Sequence, residues 1–586
     1  MTKIGTSPAM PAEVRTRGYR IHMLYVGAIA VGAALIISAA INQPFNQNEL
    51  AQIAPYSSDS LAEITGGTRQ PPLDPLLGAM FQHLLGEGQL QQRLVPVLSG
   101  MGTLIVVSLL LLRLGLGAAG AFGVWVLATA PLMVRYGAYT RPYALPLFLM
   151  VVFVYSAQRW LYEHKRGSLV LVGVAAVLLP LARVPEPTVF LVATAATLAW
   201  LGLRGRLPLI QAAPLTAIGL GAVVLVGYPM SRKLATDTNT FVDLSLPGII
   251  TRFDASLHEF ATKFLPLLAA WLPWWPITLL VIVATLAARD SRRQLMRWWF
   301  LWPLLAAPVL FSLAYHLLVT EELAYRSRAA HFFVVPYVLM IVALASAVVG
   351  ATARSRRVRA GLAALLCAAL FAQLPGTVGA IIRNGAPDFD KAGEVIAASV
   401  PADGVVLYDR PARPNQARLG FLAQSRYLEN TRSVLVVAEV ARHPRRLLSG
   451  APIYLLINGQ CIKEDRCDLS SSRWDEPLTA LPSARWDEPI PGWRIHSRFD
   501  RFTLYAPVTG LSGHEAASEL LASVGDELGP ELGFVETFAA AALLELQGRP
   551  QEGRRLIREM YARASPAVEE RIRAEAEQTN LNAFSR

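Results

Sequence analysis

The sequence predicts a polytopic α-helical membrane protein of about eleven transmembrane helices. A C-terminal extracytoplasmic α/β domain and a helical tail follow. Three observations carry this reading. Hydrophobic residues make up 53% of the 586 residues and charged residues only 17%, against roughly a quarter charged in soluble domains. Apolar windows of about 20 residues, enough to cross a bilayer core at 1.5 Å per residue, recur through the first two-thirds of the chain. Lys and Arg gather in alternate short loops, the pattern that orients membrane helices.

The spans lie near 21–41, 93–113, 117–134, 142–160, 168–183, 187–203, 208–229, 264–287, 298–319, 331–351 and 360–376. The first follows Lys3, Arg15, Arg17 and Arg20. Its apolar core is longer than that of a signal peptide, so an uncleaved anchor is expected. The spans 168–183 and 187–203 are short and separated by "RVPEP". They are expected as a tight helical hairpin or a partly re-entrant pair. The Gly-rich "GLGAAGAFG" at 115–123 suits close helix packing better than a phosphate cradle.

With the N-terminus in the cytoplasm, "RWLYEHKRG", "RGR", "RDSRRQLMR" and "RSRRVR" face inward. The loops 42–92 and 230–262, and everything after 376, then face outward. The expected location is the plasma (inner) membrane. The net charge of +11 is concentrated in juxtamembrane clusters, so the lipid bilayer is the expected partner and nucleic acid is not.

Three regions follow from composition: a membrane body at 1–380, a small α/β domain at 381–510 and a helical tail at 511–586. In the second, "GVVLYD", "SVLVVAE", "PIYLLING" and "FTLYAP" read as strands, and "FDKAGEVIAASV" reads as a helix. In the third, "ETFAAAALLELQGRPQEGRRLIREMYARASP" looks like one helix-turn-helix unit of the tetratricopeptide kind. Cys461 and Cys467 lie close together in "GQCIKEDRCDL" on the expected outer side. They are expected as a disulfide, with two free thiols as the alternative. The pentapeptide "RWDEP" occurs at 473–477 and again at 485–489; no physical account of it is evident.

Ionisable groups at the mouths of membrane helices are the first place to look for function. On the outer side these are Glu49, Asp59, Arg69, Asp74, Arg135, Arg141 and the stretch 321–336, with Tyr139 and Tyr143 beside them. Carboxylates and arginines on one face suit an anionic, lipid-linked substrate.

The order of these residues resembles the GT-C membrane glycosyltransferases, the branch that includes protein O-mannosyltransferases and the aminoarabinose transferases of lipid A. That branch has an Asp-Glu pair after its first span, where this chain has Asn48-Glu49. A family "HPPL" is matched by "QPPL" at 70–73, and "RLPSALFG" by "QQRLVPVLSG" at 91–100. "PLMVRYGAYTRPYAL" is similar to the family's "SP…YYSREARPYAL", with Arg141 and Tyr143 matching. "YRSRAAHFFVVP" resembles a late "RYLLFLLP", with Arg328 as the counterpart of its Arg.

The resemblance implies a GT-C-like fold and transfer of a sugar from a polyprenyl-phosphate donor to a hydroxyl of an envelope glycan, lipid or protein, with inversion. Under it, Glu49 or Asp74 is the base, and Arg141, Arg328, Arg69 and Arg135 bind the donor phosphate. Tyr143, Asn48 and Gln70 complete the site. The departures at Asn48 and Gln70 leave two other readings open: a catalytically degenerate scaffold, or a lipid-linked sugar transporter. No cofactor is indicated; divalent metal binding varies within the GT-C group and stays open here, with the loss of an acid at Asn48 arguing mildly against it. Simpler roles also stand for the same residues. Glu49 is a favourable helix-start acid, Asp74 a helix cap, Arg141 and Arg328 snorkelling cations, and Tyr139 and Tyr143 belt aromatics.

Overall fold

A computed structural model describes residues 12–43, 45, 49, 52–66, 71–86, 88–230, 298–304, 331–332, 334–339, 342, 372–381, 395–396, 398–401, 404–408, 433–436, 452–458, 493–499, 502–508, 512–532, 534–566, 568–570 and 572–573. The chain forms two compact units. Met1–Gln43 joins Pro55–Asn384 in the first, and Pro44–Ala54 joins Gly385–Arg586 in the second.

The first unit is helical. Among the described residues five helices are long and apolar enough to cross a membrane: Ile21–Asn42, Leu94–Arg113, Ala144–Glu163, Glu186–Leu203 and Leu209–Met230. They belong to α1 (Ala12–Asn42), α4 (Leu94–Arg113), α7 (Ala144–Glu163), α9 (Pro185–Leu203) and α10 (Leu209–Ala222), the last continued by a π-turn at Val223–Gly227. Two shorter helices, α2 (Leu61–Gly66) and α3 (Leu73–Leu85), fill the connection after α1. The helix α8 (Arg166–Ala182) has 17 residues and reaches about 25 Å. Two residues, Arg183 and Val184, join it to α9. Of the expected later spans, 264–287 lies outside the described residues, and 298–319, 331–351 and 360–376 are described only in part.

The span expected at 117–134 is broken. The helices α5 (Gly117–Ala128) and α6 (Pro131–Gly137) meet at 58°. Pro131 has no N–H to give to the preceding turn, so carbonyls there lose their helical partners. The helical segment 372–381 supplies substitutes. Gln373 donates to the Val126 carbonyl at 3.3 Å and to the Thr129 hydroxyl at 3.0 Å. The Thr377 hydroxyl donates to the Thr129 carbonyl at 2.5 Å. The kink aims α6 and the loop after it away from the axis of α5.

The glycines at 115–123 serve packing in the structure. A Cβ on Gly120 would fall 2.1 Å from the Tyr25 hydroxyl, and one on Gly123 would fall 2.1 Å from Val342. Both contacts need the side chain to be absent. This matches the small-residue packing of membrane helices, where close backbone approach replaces a hydrophobic driving force.

The second unit is built on a five-stranded sheet of order β2-β1-β3-β5-β4. Its strands are β1 (Val405–Tyr408), β2 (Ser433–Val436), β3 (Ile453–Asn458), β4 (Trp493–Phe499) and β5 (Phe502–Pro507). β1 runs parallel to β2 and β3, while β5 is antiparallel to β3 and to β4. The four strands read from sequence are present. The fifth, "WRIHSRF", was not expected. Three helices follow: α11 (Gly513–Leu532), α12 (Phe534–Leu546) and α13 (Pro550–Arg563). Val405, Leu407, Ile453, Leu455 and Tyr505 alternate along their strands onto one face, and they share a core with Ala517, Leu521, Phe538, Ile557 and Met560.

α11 begins in a capping box. The Ser512 hydroxyl accepts from the Glu515 N–H at 3.2 Å, and the Glu515 carboxylate accepts from the Ser512 N–H at 3.1 Å. The Ser512 hydroxyl also donates to that carboxylate at 2.8 Å, and this bond holds the Glu515 pKa below its usual value. A depressed carboxylate stabilises the fold above the unfolded pKa and loses that contribution as pH falls through the folded one. Ser512→Ala is expected to destabilise the second unit by about 1 kcal/mol at neutral pH, and the difference from the parent should shrink on acidification. Thermal unfolding across a pH series checks both.

Candidate functional site

Polar side chains tie several segments together at one end of the first unit. Arg93, fully buried at the start of α4, donates from Nη1 to the carbonyls of Ala40 at 2.8 Å and Gln43 at 2.6 Å. A cation there suits the negative end of the α1 dipole and meets carbonyls that have no helical partner. The Gln43 side chain in turn donates to the Ala380 carbonyl. The Thr140 hydroxyl donates to the Gln92 carbonyl at 3.3 Å, and Gln92 reaches the Gln82 side chain at 3.4 Å.

Gln82 lies on α3, whose buried stripe repeats every fourth residue through Asp74, Gly78 and Gln82. Tyr56 fills the space over Gly78, where a Cβ would come within 2.3 Å of its ring. Asp74 occupies the first turn of α3 and is buried. It is not the N-cap, which is Pro72.

The loop after the kinked α6 is compact. The Arg141 N–H donates to the Tyr139 carbonyl at 2.7 Å, and the Tyr143 N–H to the Arg141 carbonyl at 2.6 Å. These are two successive three-residue turns, the second centred on Pro142, whose ring fixes φ. Thr140 points inward to its anchor, while Arg141 is half-buried. The rings of Tyr139 and Tyr143 stack at 6.0 Å, and Tyr136 meets both edge-on at 5.7 and 5.2 Å. The Arg135 guanidinium lies 5.9 Å from the Tyr136 ring centroid.

Beneath this loop lies an ion pair not foreseen from sequence. Arg183 makes a forked pair with Glu186, at 2.5 and 2.8 Å. Its guanidinium also sits 4.8 Å from the Tyr143 ring and 6.0 Å from Phe332. His331, fully buried, stands 4.9 Å from Tyr136. The turn between α8 and α9, the residues at 331–332 and the 138–143 loop therefore form one aromatic and cationic cluster.

The opposite helix ends form a second set. Arg113 pairs with Glu163, and the Trp160 indole donates to the Gln211 carbonyl at 3.0 Å. The two sets lie at opposite ends of α4 and α7.

Among the expected site residues, Asp74, Arg135, Arg141 and Tyr143 belong to the end described first. Glu49 is fully buried, and its segment belongs to the second unit. Asn48, Arg69, Gln70, Arg328, Cys461 and Cys467 lie outside the described residues. Among the described residues no three His, Cys, Asp or Glu side chains come together as a metal site.

Two of the crystal structures similar to this chain are of ArnT from Cupriavidus metallidurans. The one bound to undecaprenyl phosphate is 15% identical, with a TM-score of 0.47, covering 83% of this chain and 98% of that one. The apo structure is 14% identical, with a TM-score of 0.48, covering 83% of this chain and 99% of that one. No family model matches the chain, and no curated protein does.

Proposed function

We propose that the chain is a membrane glycosyltransferase that moves a sugar from a polyprenyl-phosphate carrier to an acceptor hydroxyl of the cell envelope, with inversion. One observation supports this most: at a single helix-bundle end, α3, which carries the buried Asp74, is tied by the Gln82–Gln92 and Thr140–Gln92 bonds to the braced loop bearing Arg141. Two of the motifs that carry the family resemblance, "QQRLVPVLSG" and "PLMVRYGAYTRPYAL", fall on these same segments.

The chemistry follows from charge. The bond from the anomeric carbon to the carrier phosphate breaks as the acceptor oxygen bonds to the opposite face of that carbon. The proton of the acceptor hydroxyl passes to a carboxylate, Glu49 in the first instance and Asp74 as the alternative. The polyprenyl phosphate leaves with its negative charge increased, and the Arg141 guanidinium stabilises it by forked hydrogen bonds. Arg135, Arg69 and Arg328 serve the same phosphate. The lipid tail stays among the membrane helices, so the reaction takes place at their mouths. The bundle end bearing Arg141 is then the outer one.

The test is donor selectivity. The full chain, reconstituted in liposomes, is given radiolabelled polyprenyl-phosphate sugars or nucleotide sugars together with envelope extracts. Label is expected in the acceptor with a lipid-linked donor alone. Failure of every lipid-linked donor overturns the transfer reading and leaves the non-catalytic scaffold suggested by Asn48.

A further inference from the structure

At the helix ends opposite the proposed site, the turn between α9 and α10 combines exposed cations with exposed apolar side chains, a pairing that neither water nor hydrocarbon suits throughout. It is a rigid C-terminal cap. The Gly205 N–H donates to the Gly202 carbonyl at 3.0 Å and the Arg206 N–H to the Leu201 carbonyl at 2.9 Å, with Gly205 at φ +63°. This is the Schellman arrangement, and it needs the left-handed residue that glycine supplies. The cap holds Arg204 and Arg206 on either side of Gly205, both exposed. Among the described residues neither has a carboxylate partner. Arg204 lies 6.0 Å from the ring of Trp200.

The same turn carries the most exposed large apolar side chains in the described chain, Leu203 at 81% and Ile210 at 82%. The bond from Trp160 to Gln211 brings the turn beside the end of α7, where Lys165 and Arg166 are also exposed. Glu163, a carboxylate at this end, is already shared by Arg113, Arg159 and Lys165.

We infer that the Arg204–Gly205–Arg206 turn seats the headgroup of an anionic phospholipid, with Leu203 and Ile210 entering its acyl region. Isolated guanidinium groups tolerate water, and exposed leucine and isoleucine tolerate hydrocarbon. An anionic membrane interface meets both needs within one turn, and the adjacent Trp200 suits that depth. The locked backbone limits the ordering needed to bind a phosphate. This inference does not depend on the sugar-transfer reading.

The probe is phosphatidylglycerol, presented to the full chain in phosphatidylcholine nanodiscs. Phosphatidylglycerol retained on delipidation is counted by native mass spectrometry. The parent is expected to retain it in preference to phosphatidylcholine. Removing Arg204 and Arg206 together, as Arg204→Gln with Arg206→Gln, should weaken retention by about fivefold per charge at low salt. Raising the ionic strength should do the same to the parent. Arg554→Gln with Arg558→Gln, exposed on α13 in the second unit, should leave retention unchanged. The idea is overturned if the turn variant retains as much phosphatidylglycerol as the parent, if the α13 variant loses as much, or if the parent shows no preference.

Discussion

Glu49→Gln is expected to lower sugar transfer by about 10²–10⁴-fold, the usual contribution of a positioned general base, while leaving the fold in place. The argument rests on magnitudes. As a helix-start acid, Glu49 would gain roughly 0.3–1 kcal/mol from the dipole, and up to about 2 in a favourable partly buried setting. Taking a carboxylate out of water costs several kcal/mol per ion even after relaxation. Glu49 is fully buried, so the dipole alone does not offset the desolvation of its carboxylate. Gln keeps the shape and hydrogen-bonding capacity of the side chain but cannot take a proton. Initial rates with a lipid-linked donor, alongside thermal unfolding of the same preparation, separate lost chemistry from lost structure.

Asp74→Asn is the matched comparison. It too is buried, in the first turn of α3, and the same reasoning applies to it with one difference. Its position at a helix start accounts for part of its stability, so a modest loss of stability is expected with the substitution. A full loss of transfer in Asp74→Asn, with Glu49→Gln active, would move the base to Asp74.

Much of the helical unit was legible because hydropathy is a local property. The spans at 93–113, 187–203 and 208–229 stand within a few residues of α4, α9 and α10. Pro131 announces the break in the third span. Its consequence, the help from Gln373 and Thr377, depends on residues more than two hundred positions away, and no local pattern carries that. Arg183 and Glu186 had a visible signal, two opposite charges three apart between apolar runs. The stretch reads as a turn, and no local pattern carries the contact with Tyr143 forty residues earlier.

β4 was missed for a related reason. "WRIHSRF" carries two arginines and a histidine, and its pairing with β5 includes a register shift between Ile495 and Ser497. An edge strand with polar side chains lacks the continuous apolar run of the central strands. Of the candidate site, the residue types at 135–143 were readable. Their bracing, from Thr140 to Gln92 and from Tyr143 to Arg183, was not, since Gln92 and Arg183 lie forty or more residues away in sequence.

The Arg183–Glu186 pair should dominate the stability of that bracing. Glu186 is 2% exposed and the Arg183 side chain 13%. Removing one partner from such a pair leaves an uncompensated buried charge, at about 3–5 kcal/mol. Arg183→Met and Glu186→Gln are therefore each expected to lower the unfolding midpoint of the detergent-solubilised chain sharply. The double variant Arg183→Met with Glu186→Leu leaves no buried charge, and buried pairs replaced by apolar residues are often neutral in stability. It should recover most of the loss.

Transfer activity should not recover with it. Methionine offers no flat cation to the Tyr143 ring, and the loop bearing Arg141 would lose that support. Arg183→Lys sharpens the point, because it keeps the charge while losing the fork and the planar stacking. Its stability should fall less than that of Arg183→Met. Its Michaelis constant for the lipid-linked donor should rise if the loop holds the phosphate. If the double variant stays as unstable as the single ones, the pair's charge is not the source of the penalty. If it regains both stability and activity, Arg183 braces the bundle and has no part in placing Arg141.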